Sequence, residues 1–62
     1  MTQPDPLARL RHDLANPLAA LLAEAQLILL SDAPMDDEVR RGLQEIEKQA
    51  IRMRAMLRAT MG

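Results

Sequence analysis

The sequence predicts an all-α protein, an antiparallel two-helix hairpin that dimerises into a four-helix bundle. The 62-residue chain has no aromatic residue, and its apolar content is mainly Leu, Ala, Ile and Met, which suits helices packed on helices. Apolar residues recur every three or four positions in two long segments. With no cysteine and too few residues for a large core, the chain is expected to gain its core by pairing with a second copy.

Helix one is predicted over residues 6–30. Asp5 can accept a hydrogen bond from the free amides of the first turn, and Pro6 loses no hydrogen bond at the first helical position. Leu22 and Leu29 widen the apolar stripe of this helix, which predicts contact with more than one neighbouring helix. The stripe itself consists of Leu7, Leu10, Leu14, Leu18, Leu21, Ala25 and Ile28.

Residues 31–36 are dense in cap and turn residues and are predicted to connect the hairpin, with Ser31 or Asp36 as the cap of the second helix. Helix two is predicted over residues 37–60, and residues 1–62 are expected to form one domain. The apolar residues of helix two follow a strict heptad seam. The seam consists of Val39, Leu43, Ile46, Ala50, Met53, Leu57 and Thr60.

Folding the hairpin about its connection sets a register in which facing residue numbers sum to about 67, with soft helix boundaries. This register places Gly42 opposite Ala25, and Ala50 opposite the Pro17–Leu18 region. Glycine inside a helix costs about 1 kcal/mol relative to alanine. Close approach of the two helices is the expected compensation at Gly42.

Charge and hydropathy exclude several classes of protein. A net charge of −1 argues against a nucleic-acid binder, which needs an excess of Lys and Arg. No signal peptide is recognised at the N-terminus. The apolar run at residues 14–30 is broken by Asn16, Pro17, Glu24 and Gln26, so no spanning helix is expected. The protein is therefore predicted to be soluble and cytoplasmic, with no membrane contact by this segment.

The stretch at residues 11–18 reads RHDLANPL and holds the only histidine, His12. His12 points about 160° away from the apolar stripe, and Asn16 lies one turn later on the same outward face. A lone helical histidine is most often an inert surface residue. The alanines around it have two readings, high helix propensity or a flat strip for a docking domain. They are Ala8, Ala15, Ala19 and Ala23.

The segment from His12 to Leu18, HDLANPL, resembles the H-box of bacterial sensor histidine kinases, found in their HisKA dimerisation and phosphotransfer domain. In that family the motif is His, an acid, an apolar residue, any residue, Thr or Asn, Pro and an apolar residue. The resemblance implies that His12 accepts a phosphoryl group. Imidazole suits this role because its neutral form, dominant near neutral pH, is nucleophilic.

The resemblance also implies roles for the neighbours of His12. Asp13 would be the general base and orienting group, Asn16 would help to dephosphorylate a receiver, and Pro17 would kink the helix. From the residues alone, Asp13 could also be a plain solvent-exposed acid, and it lies about 100° from His12 around the helix. Asn before Pro is a common helix-distorting pair. Arg11 and Ala15 depart from the usual family residues, which are small and basic respectively, and are expected to affect partner choice rather than chemistry.

The partners implied are a second copy of the chain, a response-regulator receiver domain and the ATP-binding domain of a histidine kinase. The chain has two glycines and no Gly-rich loop, so no cofactor is expected on it, and ATP would be bound by a separate domain. It would be an enzyme only as part of a histidine kinase. The receiver is expected to dock on Ala15, Ala19, Leu22 and Ala23 of helix one and near Arg54 and Arg58 of helix two.

Two other functions stay open on the sequence. The first is a non-catalytic dimerisation or adaptor module that keeps the fold and binds a kinase or receiver without phosphotransfer. The second, weaker one is a small helical partner-binding protein with a chance match to the motif. The chain is either a piece of a longer kinase or a free-standing domain, and Met1 with the Asp5-Pro6 helix start slightly favours the latter.

Overall fold

Two antiparallel α-helices make up the computed structural model, which describes residues 5–60. Helix α1 spans Pro6–Leu30 and helix α2 spans Asp37–Ala59. Both begin and end within one residue of the expected positions, and no strand occurs between residues 5 and 60. The predicted all-α hairpin is confirmed. Residues 1–4 and 61–62 of the predicted domain lie outside the described residues.

Helix α1 begins as the sequence predicts. The Leu7 backbone N–H donates to Oδ1 of Asp5 at 3.0 Å, so the side chain at the cap satisfies one of the free amides of the first turn. Pro6 is the first helical residue, where its missing N–H removes no intrahelical bond. The exposed start of α1 is thereby fixed, only a few residues before His12.

The connection uses its two expected cap residues differently. Ser31 closes α1: its N–H donates to the Ile28 carbonyl at 3.1 Å, and its Oγ accepts from the Ala33 N–H at 3.1 Å. Asp36 occupies the cap position of α2, but its side chain makes no capping hydrogen bond. Asp36 therefore marks the start of α2 without stabilising it through its carboxylate.

The heptad seam of α2 divides between two surfaces. Leu43, Ala50 and Leu57, each seven residues apart, are buried or half-buried against α1. The alternate seam positions point elsewhere: Val39 and Ile46 are each 51% exposed and Met53 is 52% exposed. Since residues seven apart lie on one side of a helix, one half of the seam closes the hairpin and the other half faces water.

Helix α1 divides in the same way. Leu18 and Ala25, seven apart, are buried, and Leu22 joins Leu18 and Ala50 in the core cluster. Leu14, Leu21 and Ile28 are exposed. The outward apolar positions of the two helices lie on the same side of the hairpin, and we call this side the apolar face. Its members are Leu14, Leu21, Ile28, Val39, Ile46 and Met53.

The dimensions show how little a single hairpin buries. Its accessible surface is 5410 Å², whereas a compact monomer of this mass exposes about 4,000 Å². Its radius of gyration is 15.3 Å, whereas a compact chain of this length has about 10.6 Å. Among residues 5–60 the buried side chains are Leu18, Leu22, Ala25 and Ala50. The apolar face is the surface left without a partner.

Helix α1 is also long and apolar enough, on length and composition alone, to cross a membrane. On that criterion the polar interruptions do not exclude a spanning helix, because an 18-residue window of α1 is apolar enough despite them. The indication is weak, since core helices of soluble proteins and signal sequences have the same composition. In the structure, α1 packs along α2, which is rich in charged residues.

The predicted register is right at one point and wrong at another. Ala50 packs with Leu18, as expected. Gly42 makes no close approach to Ala25: a Cβ built on Gly42 meets no atom within 4 Å. Gly42 is exposed and lies one helical turn from Val39 and Ile46. It therefore belongs to the side of α2 that carries the apolar face, and close helix packing within the hairpin does not explain it.

Replacing Gly42 with alanine is expected to stabilise the hairpin by about 1 kcal/mol, because alanine has the higher helix propensity and its methyl group finds open space. Urea unfolding followed by circular dichroism measures the change. Ala55→Gly, at an exposed position of the same helix, is the matched control and should lose a similar amount. A loss of stability in Gly42→Ala would contradict this expectation and would place a partner's backbone against Gly42.

Candidate functional site

His12 lies in the second turn of α1, at the open end of the hairpin, where the start of α1 faces the end of α2. Its side chain is exposed, and Asn16, one turn further along, is exposed on the same side. Exposure of the imidazole follows from helix periodicity, since His12 is six residues from buried Leu18 and so points well away from the core. The ring is accessible to a docking domain.

A groove of about 440 Å³ runs between the two helices beside His12, and we call it the His12 groove. Leu18, Leu22 and Leu57 form its apolar floor, and alanines of α1 keep one wall low. His12, Asn16 and three arginines supply its polar groups. The full lining is Ala8, Arg11, His12, Ala15, Asn16, Leu18, Ala19, Leu22, Arg54, Leu57 and Arg58.

The groove brings together most of the residues that the sequence singled out, although they come from both helices. Those that share it are His12, Ala15, Asn16, Ala19, Leu22, Arg54 and Arg58. Asp13, Ala23 and Pro17 do not line it. Arg54 and Arg58 are more than forty residues from His12 in the sequence. Because the two helices pair in antiparallel fashion, these arginines line the same groove as the histidine.

Asp13 is exposed and lies outside the groove. A step of one residue along a helix turns the side chain by about 100°, and this turn carries the carboxylate away from α2. Asp13 remains next to His12 in the chain but does not share the groove with the arginines. Its role as general base stays a prediction.

Arg11 belongs to the groove although the sequence analysis placed it apart from the chemistry. It is half-buried and lines the same groove as His12. The signal was present in the heptad pattern: Arg11 lies seven residues before Leu18, so it occupies the position that packs against α2 further along the helix. An arginine in this register lies beside α2 and is partly shielded from water.

Three arginines, Arg11, Arg54 and Arg58, are among the residues that line the His12 groove, and no Asp or Glu among residues 5–60 lines it. The largely apolar groove thus carries a local excess of cationic residues in a chain whose net charge is −1. Guanidinium groups present a planar fork of donors that matches the oxygens of carboxylates and phosphates. The groove is therefore a place where an anion on His12 would be electrostatically favoured.

Pro17 lies inside α1, which continues through it from Pro6 to Leu30. Because proline has no N–H, the Asp13 carbonyl lacks its intrahelical donor. Pro17 lines a second, largely apolar pocket of about 430 Å³ together with Leu14, Leu21 and Met53 on the apolar face. Leu18 and Leu57 line both this pocket and the His12 groove. The kink expected at Pro17 stays a prediction.

An exposed histidine followed by an acid, Asn and Pro, on the first helix of an antiparallel hairpin, resembles the phosphoacceptor domains of two-component signalling. The family model of the His Kinase A (phospho-acceptor) domain matches residues 6–61, so the match covers both helices and the motif. The chain belongs to this family. No curated protein and no solved structure matches the chain.

Replacing Pro17 with alanine is expected to stabilise the protein by about 1–3 kcal/mol, because it restores the backbone hydrogen bond to the Asp13 carbonyl. Urea unfolding gives the free energy, and hydrogen exchange should show a protected amide at position 17. Pro34→Ala, in the connection between the helices, is the matched control and should not gain stability, since proline there restricts the unfolded chain. Equal effects of the two changes would contradict the argument.

Proposed function

We propose that the protein is a dimeric histidine phosphoacceptor domain in which His12 takes up a phosphoryl group and exchanges it with a response-regulator receiver domain. Membership in the HisKA family supports the general role in two-component signalling. The observation that carries the assignment to His12 is its exposure at the rim of a groove formed by both helices. His12 is also the only histidine of the chain.

The chemistry requires a neutral imidazole. Its unprotonated nitrogen attacks the phosphorus of the donor, the bond from phosphorus to the leaving group breaks, and the leaving group takes the bonding electron pair. The proton on the other ring nitrogen is then lost, and Asp13 is the adjacent carboxylate that accepts it. In the return step a carboxylate oxygen of the receiver attacks the phosphorus, and the bond between nitrogen and phosphorus breaks. The imidazole then takes back a proton.

The remaining site residues have roles around this exchange. Asn16 would orient a water toward the phosphorylated receiver, which is catalysis by positioning. The receiver would dock on Ala15, Ala19 and Leu22 of the groove and on Ala23 beside it, and it would reach the arginines of α2. A separate ATP-binding domain of a histidine kinase would supply the phosphoryl group, and a second copy would cover the apolar face. The exchange would take place in the cytoplasm, without membrane contact by this segment.

A non-catalytic adaptor is the second candidate function. The observation in its favour is that Asp13 lies outside the His12 groove, so the acid and the groove arginines do not share one cavity. An adaptor would keep the fold, the apolar face and the docking surface, and it would bind a kinase or receiver without accepting phosphate. Replacing His12 separates the two functions, because only the phosphoacceptor depends on the imidazole.

Intact-mass spectrometry at neutral pH, after incubation with phosphoramidate, tests the phosphoacceptor function. The parent protein should gain one acid-labile phosphoryl group as the phosphorus–nitrogen bond of the donor breaks and ammonia leaves. His12→Gln should gain none, and Asp13→Asn should react more slowly, on the order of tenfold to a hundredfold. If the parent and His12→Gln are modified alike, or neither is, the adaptor becomes the better assignment.

Sedimentation equilibrium tests the proposed dimer. The parent should sediment at twice the chain mass, and Leu21→Glu should shift it toward the monomer, because a carboxylate on the apolar face must lose its water on association. Leu27→Glu is the matched control: Leu21 and Leu27 are each 62% exposed, but Leu27 lies on the side of α1 opposite Leu18. A parent that is a folded monomer, or equal dissociation of both variants, would contradict the assignment.

A further inference from the structure

We propose that Arg11, Arg54 and Arg58 form a binding site for a phosphoryl dianion within the His12 groove. The site would hold the phosphoryl group once it is on His12, and it would bind free inorganic phosphate before any covalent step. The first part rests on the phosphoacceptor function proposed above. The second part does not depend on it, and this difference allows the two to be tested separately.

The geometry of the groove is the first argument. Three arginines and His12 are among the residues that line one groove of about 440 Å³, which is ample for a tetrahedral oxyanion and several waters. Arg54 and Arg58 are four residues apart, so they lie on the same side of α2. Arg11 comes from the opposite wall, on α1. A phosphoryl group between the walls would meet cations on both sides.

The charge balance of the groove is the second argument. Within residues 5–60, no Asp or Glu is among the residues that line the groove, so no carboxylate of the lining competes for the guanidinium groups. A phosphoryl group carries about two negative charges at neutral pH. Arginine binds such groups through two parallel hydrogen bonds. Before phosphorylation, the lining of the groove therefore contains no carboxylate, among residues 5–60, that could pair with its arginines.

General helix electrostatics explains only part of this arrangement. A cation near the end of α2 interacts favourably with the free carbonyls there, which accounts for Arg58. Arg11 lies in the second turn of α1, beyond the reach of the dipole at either helix end, so the dipole does not account for Arg11. Arg11 is also half-buried in the register of Leu18, a position that a leucine would fill at lower desolvation cost. Anion binding in the groove would account for an arginine at this partly buried position.

The site differs from the receiver-docking role expected for Arg54 and Arg58. If Arg54 and Arg58 serve only to dock a protein partner, the isolated chain should not bind inorganic phosphate at these residues. A phosphoryl site acts in the isolated chain, with phosphate as its only ligand. The experiment therefore contains no receiver and no kinase.

Titration of His12→Gln with inorganic phosphate, at constant ionic strength and followed by ¹H–¹⁵N NMR, tests the site without phosphorylation. Saturable shifts should concentrate at amides near Arg11, Asn16, Arg54 and Arg58, with sulfate competing and chloride not. In Arg54→Gln/Arg58→Gln on the His12→Gln background, the affinity should fall on the order of tenfold. Shifts that do not saturate, or that spread evenly over the chain, would overturn the proposal.

A charge-matched control separates a built site from diffuse attraction. Arg41 and Arg52 are exposed on α2 and do not line the groove, so Arg41→Gln/Arg52→Gln removes the same charge from the same helix. Its phosphate affinity should change less than about twofold, because exposed charges at a distance are screened. Equal losses in the two double variants would overturn the proposal. Circular dichroism of both establishes that each is folded.

The covalent arm uses the parent protein and phosphoramidate. If the site acts on the reacting phosphoryl group, Arg54→Gln/Arg58→Gln should slow labelling of His12 on the order of tenfold, and Arg41→Gln/Arg52→Gln should label like the parent. Phosphate binding without labelling of the parent would support the site and refute the phosphoacceptor function. Labelling of the parent with no phosphate binding, and with unchanged rates in both double variants, would refute the site alone.

Discussion

The hairpin cannot bury its own apolar residues, and the rest of the structure depends on this constraint. Two antiparallel helices share a single line of contact, so each seam can turn only half of its positions toward the other helix. Leu43, Ala50 and Leu57 occupy that line, while Val39, Ile46 and Met53 remain outside it. Domains of the HisKA family generally dimerise, and the apolar face is the surface of this chain that suits such pairing.

The division of the seams also sets the place of His12. His12 and Asn16 belong to neither apolar seam, and both are exposed at the groove between the helices, on a different side of α1 from Leu14 and Leu21. The groove next to them has an apolar floor and a cationic rim. Such a surface admits a docking domain over the alanines and favours negative charge beside the imidazole. Fold stability and chemical accessibility are thus assigned to different sides of the same helix.

Local sequence signals predicted the fold well. Periodicity gave both helices, Asp5 and Pro6 gave the start of α1, and the length of the connection gave the pairing of Ala50 with Leu18. Gly42 was misplaced because helix periodicity gives the direction in which a residue points, but it does not say which neighbouring helix lies in that direction. The residue-number register paired Gly42 with Ala25 without regard to the side of α2 on which Gly42 lies, and a Cβ built on Gly42 meets only open space.

The candidate site was predictable in part. The motif singled out His12 and Asn16, and the expected docking surface included Arg54 and Arg58. Arg11 was missed because it was judged only as a departure from the usual family residue, although its seven-residue spacing from Leu18 places it on the side of α1 that faces α2. Whether Asp13 would share the groove depended on the turn of the helix relative to α2, which the motif does not specify. The sequence analysis judged whether α1 could span a membrane from its individual polar residues. The mean hydropathy of its most apolar 18-residue segment gives the other answer.

Leu18 and Leu57 form a wall one side chain thick between the His12 groove and the apolar pocket. Closely packed side chains transmit small displacements instead of absorbing them. A rotation of either helix that rearranges one side of this wall must therefore rearrange the other side as well. Thermodynamic linkage makes such an effect reciprocal. The affinity between two copies of the chain and the occupancy of the histidine would then be coupled quantities, each able to report the state of the other.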